Sequence, residues 1–237
     1  MIVAGGPPHV IAHRGEPVGH RENTLAAVAA ALEHGADLVE IDVQVTADGA
    51  VVLLHDETLE RLWDVPSRVD ALTRAEVAHR TGDGVPLLRD VLAAVAGTGA
   101  TLLIDMAGPA PAVPALRVVH ELIAAGSLDP AEVAWCGALP ALQSVRGGDP
   151  EARILLSWHA RSLPTDDIVE ALAPEASNPH WMLLGPESMT WARDRGMAIS
   201  CWTVDEEATM AELLDRGVDA VISNRIGTLR KVVDGRG

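Results

Sequence analysis

Residues 38–55, LVEIDVQVTADGAVVLLH, contain two apolar runs joined by a short polar connection. The runs at 38–44 and 51–55 favour β-strands, because they are rich in Val, Leu and Ile and are bounded by turn residues. The connection is too short for a helix, and its Asp48-Gly49 pair is typical of a tight turn. The stretch therefore predicts a hairpin in which the second run folds back along the first.

Outside this hairpin, apolar runs alternate with segments of helical period. The predicted strands are 9–13, 38–44, 51–55, 101–106, 132–136, 153–158, 181–184, 198–203 and 218–223. The predicted helices are 23–34, 87–96, 111–125, 138–147, 165–172, 187–195, 205–216 and 225–233. Repeated βα units with near-continuous apolar strands are typical of a parallel sheet covered on both faces. One of the nine strands belongs to the hairpin, so eight remain to close a (β/α)8 TIM barrel, an α/β fold.

Residues 57–86 have no clear strand and predict a long loop region with one helix at about 73–80. A long loop after a strand end often forms part of the substrate pocket of a barrel, and a tolerated surface insertion is an equally good interpretation. The chain has 237 residues, 48% of them hydrophobic, which is enough for one buried core. We therefore predict a single barrel domain over residues 1–237 with an insertion at about 57–86.

Composition restricts the partners of the protein. The formal net charge of −16 disfavours nucleic acid and anionic membrane surfaces. Only one lysine is present, Lys231, so the other permanent positive charges are arginines. Cys136 and Cys201 lie in apolar runs and are predicted to be buried free thiols. The sequence has no signal-peptide pattern and no apolar stretch of membrane-spanning length, so a cytoplasmic location and a small-molecule partner are expected. Oligomeric state is not predicted.

Charged and aromatic side chains lie at the carboxyl ends of several predicted strands, where TIM barrels place their active residues. These residues are His13, Arg14, Glu40, Asp42, His55, Asp105 and Trp202. Glu40 and Asp42 are two apart on one strand, so they face the same side and can hold one hard cation. A lone strand-end histidine is more often structural, but two histidines beside such a carboxylate pair indicate phosphoryl chemistry with its own acid and base.

Five motifs in the first 61 residues resemble, in order and spacing, the glycerophosphodiester phosphodiesterase family. They are His13-Arg14-Gly15, Glu22-Asn23-Thr24, Glu40-x-Asp42-Val43, Thr46-x-Asp48-Gly49 and His55-Asp56. Trp202-Thr203-Val204 and residues 217–224 are similar to the last two strands of that family. The resemblance implies a TIM barrel, a divalent cation, Mg²⁺ or Ca²⁺, and hydrolysis of a glycerophosphodiester to glycerol 3-phosphate and an alcohol.

The resemblance also implies a role for each matching residue. His13 and His55 are the expected general acid and base, and Arg14 is expected to bind a phosphate oxygen. The expected metal ligands are Glu40 and Asp42, with Asp105 replacing a family glutamate, and Trp202 is expected in the substrate pocket. Glu22 is expected to support Arg14 or the metal ligands, and Asn23 or Thr24 to cap the helix that follows. Which histidine is the acid, and whether water or a substrate hydroxyl attacks, stay open.

Three departures from the family pattern stand beside the resemblance. Ala107 occupies the position of a family lysine, the strand before Ala138 ends in Trp135-Cys136-Gly137, and Asn224-Arg225 replaces an Asp-Pro pair. Arg21 and Arg161 are candidates to supply the missing positive charge. These differences keep two alternatives open, which are cleavage through a cyclic phosphate or another specialised step, and a non-catalytic barrel. His159 and His180 lie near predicted strand ends, and packing or surface roles are favoured for both.

Overall fold

The strands and helices alternate along the chain much as the sequence predicts. The structure is a computed structural model and describes residues 2–236. Its strands are β1 (His9–His13), β2 (Leu38–Val45), β3 (Val51–Leu53), β4 (Thr58–Leu59), β5 (Val65–Arg68), β6 (Thr101–Met106), β7 (Val133–Gly137), β8 (Leu155–Trp158), β9 (Ala176–Pro179), β10 (Ala198–Cys201) and β11 (Ala220–Ser223). Its α-helices are α1 (Leu25–Glu33), α2 (Glu60–Trp63), α3 (Arg74–Thr81), α4 (Leu88–Val95), α5 (Ala112–Ala124), α6 (Leu139–Gly148), α7 (Asp166–Leu172), α8 (Pro186–Asp194), α9 (Glu207–Asp215) and α10 (Ile226–Asp234).

Eight parallel strands form the predicted TIM barrel. Their order around the sheet is β7-β6-β2-β1-β11-β10-β9-β8. A parallel bridge between Trp135 of β7 and Ile154, the residue before β8, joins the two ends of this order. Small and branched side chains such as Ile11, Leu103 and Ala198 fill the barrel interior, and a larger apolar layer packs the strands against the helices. Because all eight strands run the same way, their carboxyl ends meet at one rim.

The extra strand is the one that the hairpin predicts. β3 pairs antiparallel with β2, with Val43 opposite Leu53 and Val45 opposite Val51, and a single antiparallel bridge joins its Val52 to Leu87. The backbone N–H of Leu54 donates to the Asp42 carbonyl at 3.1 Å. The next residue along the chain, His55, is therefore delivered to the rim beside the end of β2.

The segment after the hairpin is more structured than predicted. The helix expected at about 73–80 is confirmed as α3, which begins with a capping box in which Thr73 and Glu76 satisfy each other's backbone N–H groups. The expectation of no strand is wrong, because β4 and β5 form a short antiparallel pair. Seven buried side chains form an apolar cluster of their own, here called the satellite core, and they are Val52, Leu54, Leu59, Val69, Leu72, Val77 and Val85.

The predicted strand at 181–184 is wrong. Residues Trp181–Leu183 form a single 3₁₀ turn, and the strand of this repeat is β9, five residues earlier. β9 reads Ala-Ser-Asn-Pro, which has low strand propensity, and it is held by backbone pairing to β8 on one side and β10 on the other. Pro179 is tolerated because it is the last residue of the strand.

Candidate active site

The carboxyl ends of the barrel strands surround a pocket of about 470 Å³. Its lining contains every residue predicted to act in catalysis, metal binding or substrate binding. The lining residues are His13, Arg14, Glu40, Asp42, His55, Asp105, Ala107, Cys136, Gly137, Ala138, Leu139, Ser157, His159, Asn178, Trp202 and Ile222. The structure thus brings together side chains that are up to 209 positions apart in the sequence (Ile222 minus His13).

Three carboxylates lie on one face of two neighbouring strands. Glu40 and Asp42 lie two residues apart on β2, so their side chains face the same side of the strand. Asp105 of β6 is paired with Asp42 in the parallel sheet. Burial, together with repulsion from Asp42, raises the pKa of Glu40 well above its usual range. The same two causes raise the pKa of Asp105 to about 6. Negative charge is therefore concentrated here beyond what the surrounding protein neutralises.

Each carboxylate has one oxygen bonded to the protein and one without a protein donor. The donors to the bonded oxygens are the Arg14 backbone N–H to Glu40 Oε2 (2.9 Å), Asn23 Nδ2 to Asp42 Oδ2 (2.8 Å) and Cys136 Sγ to Asp105 Oδ2 (3.3 Å). The other oxygens, Glu40 Oε1, Asp42 Oδ1 and Asp105 Oδ1, accept no hydrogen bond from residues 2–236, and none is among the fully buried unpaired atoms. One side of each carboxylate is thereby anchored and the other is available to a ligand.

The carboxylate oxygens of Glu40, Asp42 and Asp105 are chemically suited to a hard divalent cation. Carboxylate oxygens are the ligands that Mg²⁺ and Ca²⁺ prefer, and no sulfur or nitrogen is needed. Within the described chain, however, no group of three or more His, Cys, Asp or Glu side chains is placed so that it could hold a metal ion as it stands. An open set of carboxylates on one wall suits a cation that completes its coordination with water and substrate oxygens.

Arg14 lines the pocket and lies between two carboxylates, those of Glu22 and Asp42. Its Nη1 donates to Glu22 Oε1 at 2.9 Å, and its Nε is 3.1 Å from Asp42 Oδ2. Glu22 also accepts from Arg61 at 2.6 Å, so the predicted support of Arg14 by Glu22 is present in the structure. A left-handed backbone at Arg14, with φ of 59°, turns its own N–H toward Glu40. Arg14 Nη2 donates to no residue in 2–236 and is left for a substrate oxygen.

Thr24 rather than Asn23 takes the capping role that the sequence predicts for one of the two. Thr24 caps α1, since its side chain accepts from the Ala27 N–H at 3.2 Å. Asn23 instead brackets Asp42, donating to Asp42 Oδ2 at 2.8 Å and accepting from the Asp42 N–H at 3.0 Å. Asn23 therefore fixes the position of a carboxylate rather than the start of a helix.

The two predicted histidines have different partners. His13 Nδ1 is 2.8 Å from the amide oxygen of Asn224, and burial, followed by the nearby Arg14 charge, lowers the pKa of His13. His55 Nδ1 is 2.7 Å from Asp56 Oδ1, and 43% of the His55 side chain is exposed. Asp56 is in turn held by Arg61 Nε at 2.5 Å. One imidazole is thus buried against a neutral amide, and the other is exposed against a carboxylate.

The pocket has two unlike sides. The charged wall is contributed by β1, β2 and β6 and by the residues that follow β1 and β3, and it consists of His13, Arg14, Glu40, Asp42, His55 and Asp105. The uncharged wall consists of Ala107, Gly137, Ala138 and Leu139, which follow or end β6 and β7.

No second arginine replaces the family lysine at Ala107. Arg21 lies over the ring of Trp63, 4.1 Å from its centroid, and Arg161 lines a separate cleft of about 220 Å³ beside Trp158 and Trp191. Neither lines the pocket, so the expectation that one of them supplies the missing charge is wrong. Among residues 2–236, Arg14 is the only arginine or lysine in the lining.

Trp202 lines the pocket as predicted. Its Nε1 donates to the Asn178 carbonyl at 3.0 Å, and the rings of His159 and His180 meet it edge-on, with centroids 5.1 and 5.2 Å away. His159 itself lines the pocket, although the sequence favours a packing or surface role for it. His180 packs against Trp202 and Trp181, as that interpretation expects.

Sequence reasoning missed three polar residues of the site. Ser157 and Asn178 line the pocket and bond each other at 3.3 Å, and Asn224 holds His13. The signal for Ser157 is a polar residue in an otherwise apolar barrel strand. Asn178 gives no such signal, because its strand reads Ala-Ser-Asn-Pro and has low strand propensity. Asn224 is visible in sequence only as a departure from the family pattern.

Known proteins resemble this chain in both sequence and structure. The model of the "Glycerophosphoryl diester phosphodiesterase family" matches residues 13–228. A glycerophosphodiester phosphodiesterase of Caldanaerobacter subterraneus subsp. tengcongensis is 26% identical over 235 residues, which cover 94% of this chain and 97% of that protein. Bovine glycerophosphodiester phosphodiesterase 1 is 37% identical over 123 residues, which cover 46% of this chain and 37% of the bovine protein.

The fold recurs in a solved structure. A phosphodiesterase of Oleispira antarctica, in complex with the product sn-glycerol-3-phosphate, superposes with a TM-score of 0.82 at 22% identity, covering 96% of this chain and 97% of that one. The likeness confirms the barrel. In residues 2–236, the structure has no helix that combines the length and hydropathy of a membrane span.

Proposed function

Because this chain belongs to the glycerophosphoryl diester phosphodiesterase family, we propose that it hydrolyses glycerophosphodiesters to glycerol 3-phosphate and an alcohol. The observation that carries the proposal is the charged wall, where two imidazoles with fixed Nδ1 partners, an arginine and a carboxylate cluster share one pocket. The whole barrel acts as one catalytic domain in this proposal. A cytoplasmic location stays a prediction from the sequence.

Glu40, Asp42 and Asp105 would hold a divalent cation, Mg²⁺ or Ca²⁺, through their three free oxygens. When bound, the cation supplies positive charge for a non-esterified phosphate oxygen, on which charge grows in the transition state. Arg14 is held in place by Glu22 and offers Nη2 to a second phosphate oxygen. Phosphate is thereby oriented against the charged wall.

His13 is proposed as the general base and His55 as the general acid. His13 is buried against a neutral amide, which favours the uncharged imidazole that can accept a proton from the attacking hydroxyl. His55 Nδ1 lies 2.7 Å from Asp56 Oδ1, and this contact fixes the orientation of the ring that would protonate the departing alkoxide. The leaving alcohol is thus expected on the His55 side of the phosphate. The attacking group is water in this proposal.

The deciding experiment is cleavage of a panel of phosphodiesters in EDTA, Mg²⁺, Ca²⁺ and Mn²⁺. The panel contains glycerophosphocholine, glycerophosphoethanolamine, glycerophosphoglycerol and bis-p-nitrophenyl phosphate. We expect cleavage that EDTA abolishes and that the Glu40→Gln/Asp42→Asn variant lacks, whereas the exposed Glu33→Gln variant keeps it. No cleavage with any metal contradicts the proposal. Phosphorus NMR of the first product identifies the nucleophile, since a cyclic phosphate would mean that a substrate hydroxyl attacks instead of water.

A further inference from the structure

Behind His13 lies a chain of hydrogen bonds that ends in a carboxylate. His13 Nδ1 is 2.8 Å from Asn224 Oδ1, and Asn224 Nδ2 is 2.8 Å from Asp205 Oδ2. The other oxygen of Asp205 is 2.8 Å from the Asn224 backbone nitrogen and 3.0 Å from Ser223 Oγ. Asp205 thus holds the side chain and the backbone of Asn224 at once. It does not line the pocket and cannot touch substrate from there.

The chemistry of these groups fixes where each hydrogen lies. An ionised carboxylate only accepts hydrogen bonds, so Asp205 requires the NH₂ end of the Asn224 amide to face it. The amide oxygen must then face His13, and an oxygen accepts but does not donate. His13 Nδ1 must therefore carry a hydrogen, and in the neutral ring Nε2 is left with a bare lone pair. Nε2 is the nitrogen on the side of Glu40, 4.0 Å from its Oε2.

We infer that Asp205 and Asn224 are positioning residues that lock His13 in the Nδ1–H tautomer. Its Nε2 is thereby always ready to accept a proton. The inference deepens the proposed function and rests on it for the role of His13 as base. The Asn224 amide fixes the tautomer without placing a negative charge next to His13, because Asp205 is linked to His13 only through Asn224.

An isosteric variant separates this role from simple packing. In Asp205→Asn, the new amide keeps its oxygen for the Asn224 N–H and Ser223 and directs an NH₂ at the Asn224 side chain. The Asn224 amide then turns over and offers NH₂ to His13, which selects the Nε2–H tautomer. We expect kcat to fall about 10- to 100-fold, up to the lower limit of the range for general-base catalysis, with KM changed less than about threefold.

Exchanging the residues at positions 205 and 224 should restore the Nδ1–H tautomer of His13. In Asp205→Asn/Asn224→Asp, the amide at 205 donates to the carboxylate at 224, and that carboxylate accepts from His13 Nδ1–H. We expect kcat to recover to within about threefold of the wild-type value. A control, Ser223→Ala, removes one bond to Asp205 but leaves the Asn224 amide facing the same way, so kcat should change less than about twofold.

Nitrogen-15 NMR of the His13 ring decides the matter without any substrate. The wild-type and exchanged proteins should give the Nδ1–H pattern, and Asp205→Asn the Nε2–H pattern, with thermal unfolding used to confirm that each variant folds. An Nε2–H tautomer in the wild type, full kcat in Asp205→Asn, or a folded exchanged variant that stays as slow as Asp205→Asn overturns the inference. If the wild type cleaves no phosphodiester, the proposed function fails, and the NMR result still decides the tautomer.

Discussion

The charged wall and the uncharged wall of the pocket are built from the same kind of element, the end of a barrel strand, yet they hold opposite chemistry. Every titratable group proposed to act directly on phosphate comes from the ends of β1, β2, β3 and β6, whereas Ala107, Gly137, Ala138 and Leu139 can neither move a proton nor bind a cation. Under the proposed function, this difference means that the reaction is carried by one side of the barrel. The other side limits the shape of what can lie against it.

The protein is acidic, yet its proposed substrate, a phosphodiester, is an anion. The net charge is −16, and among residues 2–236 the pocket lining has one arginine and no lysine. A phosphodiester therefore needs positive charge that Arg14 alone does not supply. Four measurements would break or sharpen this comparison of the walls.

The largest effect is expected from removing charge on the charged wall. Glu40→Gln/Asp42→Asn should lower kcat/KM on the order of 10³-fold or more, because the variant loses the proposed ligands of the cation that would stabilise transition-state charge. Leu139→Ala, on the uncharged wall, should change it less than about tenfold, since only packing against substrate is altered. Steady-state kinetics on the best substrate measures both. Comparable losses in the two variants would remove the distinction between the walls.

The two histidines should respond differently to the leaving group. His55→Ala should slow cleavage of an alkyl alcohol ester on the order of 10²-fold, and a p-nitrophenyl leaving group should restore most of the rate because it departs without a proton. His13→Ala should stay slow with both, since the attacking hydroxyl still lacks its base. Rates on paired alkyl and p-nitrophenyl esters provide the test. Rescue of His13→Ala instead of His55→Ala would exchange the two roles.

Asp105 links the wall to folding stability. Burial and repulsion from Asp42 raise its pKa to about 6, against 3.8 for the unperturbed group, so between these values the folded state binds more protons than the unfolded state. Stability must then fall as pH rises through this window. Without metal, we expect Asp105→Asn to be more stable than wild type by about 3 kcal/mol above pH 6, and by progressively less toward pH 4.

Urea unfolding in EDTA at about pH 5 and pH 7.5 checks this expectation, with the exposed Asp194→Asn as the control. An advantage of Asp105→Asn that does not change between the two pH values would mean that Asp105 is not held protonated by burial. Added Mg²⁺ or Ca²⁺ should reverse the order at pH 7.5, because a bound cation stabilises the folded wild type by mass action.

The smallest effect is expected from placing charge on the uncharged wall. Ala107→Lys should lower KM for a phosphodiester about fivefold, the effect of roughly 1 kcal/mol of attraction between partly solvated charges. Ala107→Gln adds similar bulk without charge and should not lower KM. An equal decrease in both variants would indicate packing rather than charge.

The sequence predicts the fold and the charged wall well because their signals are local. The β2–β3 hairpin follows from a turn pair and two apolar runs, and the period of two along β2 puts Glu40 and Asp42 on one face. Strand ends then gather at one rim, which brings in His13, His55 and Asp105 without any knowledge of their contacts.

What the sequence could not provide depends on neighbours distant in the chain. β9 has weak strand propensity and exists because β8 and β10 pair with it. The bond between His13 and Asn224 joins residues 211 positions apart, and no periodicity encodes it. Arg21 stacks on the ring of Trp63, 4.1 Å from its centroid, instead of lining the pocket. Trp63 lies in a segment that the sequence predicts only as a loop.

The satellite core has a consequence for how activity is lost. His55 follows β3, which pairs through three register positions with β2 and contributes Val52 to the satellite core, while Val51 and Leu53 join the larger apolar layer. Such a unit can open at a lower free energy than the barrel, because it buries less apolar surface. Heating should therefore remove the proposed acid before the barrel melts, and the protein would cool back to full activity because its main fold never opened.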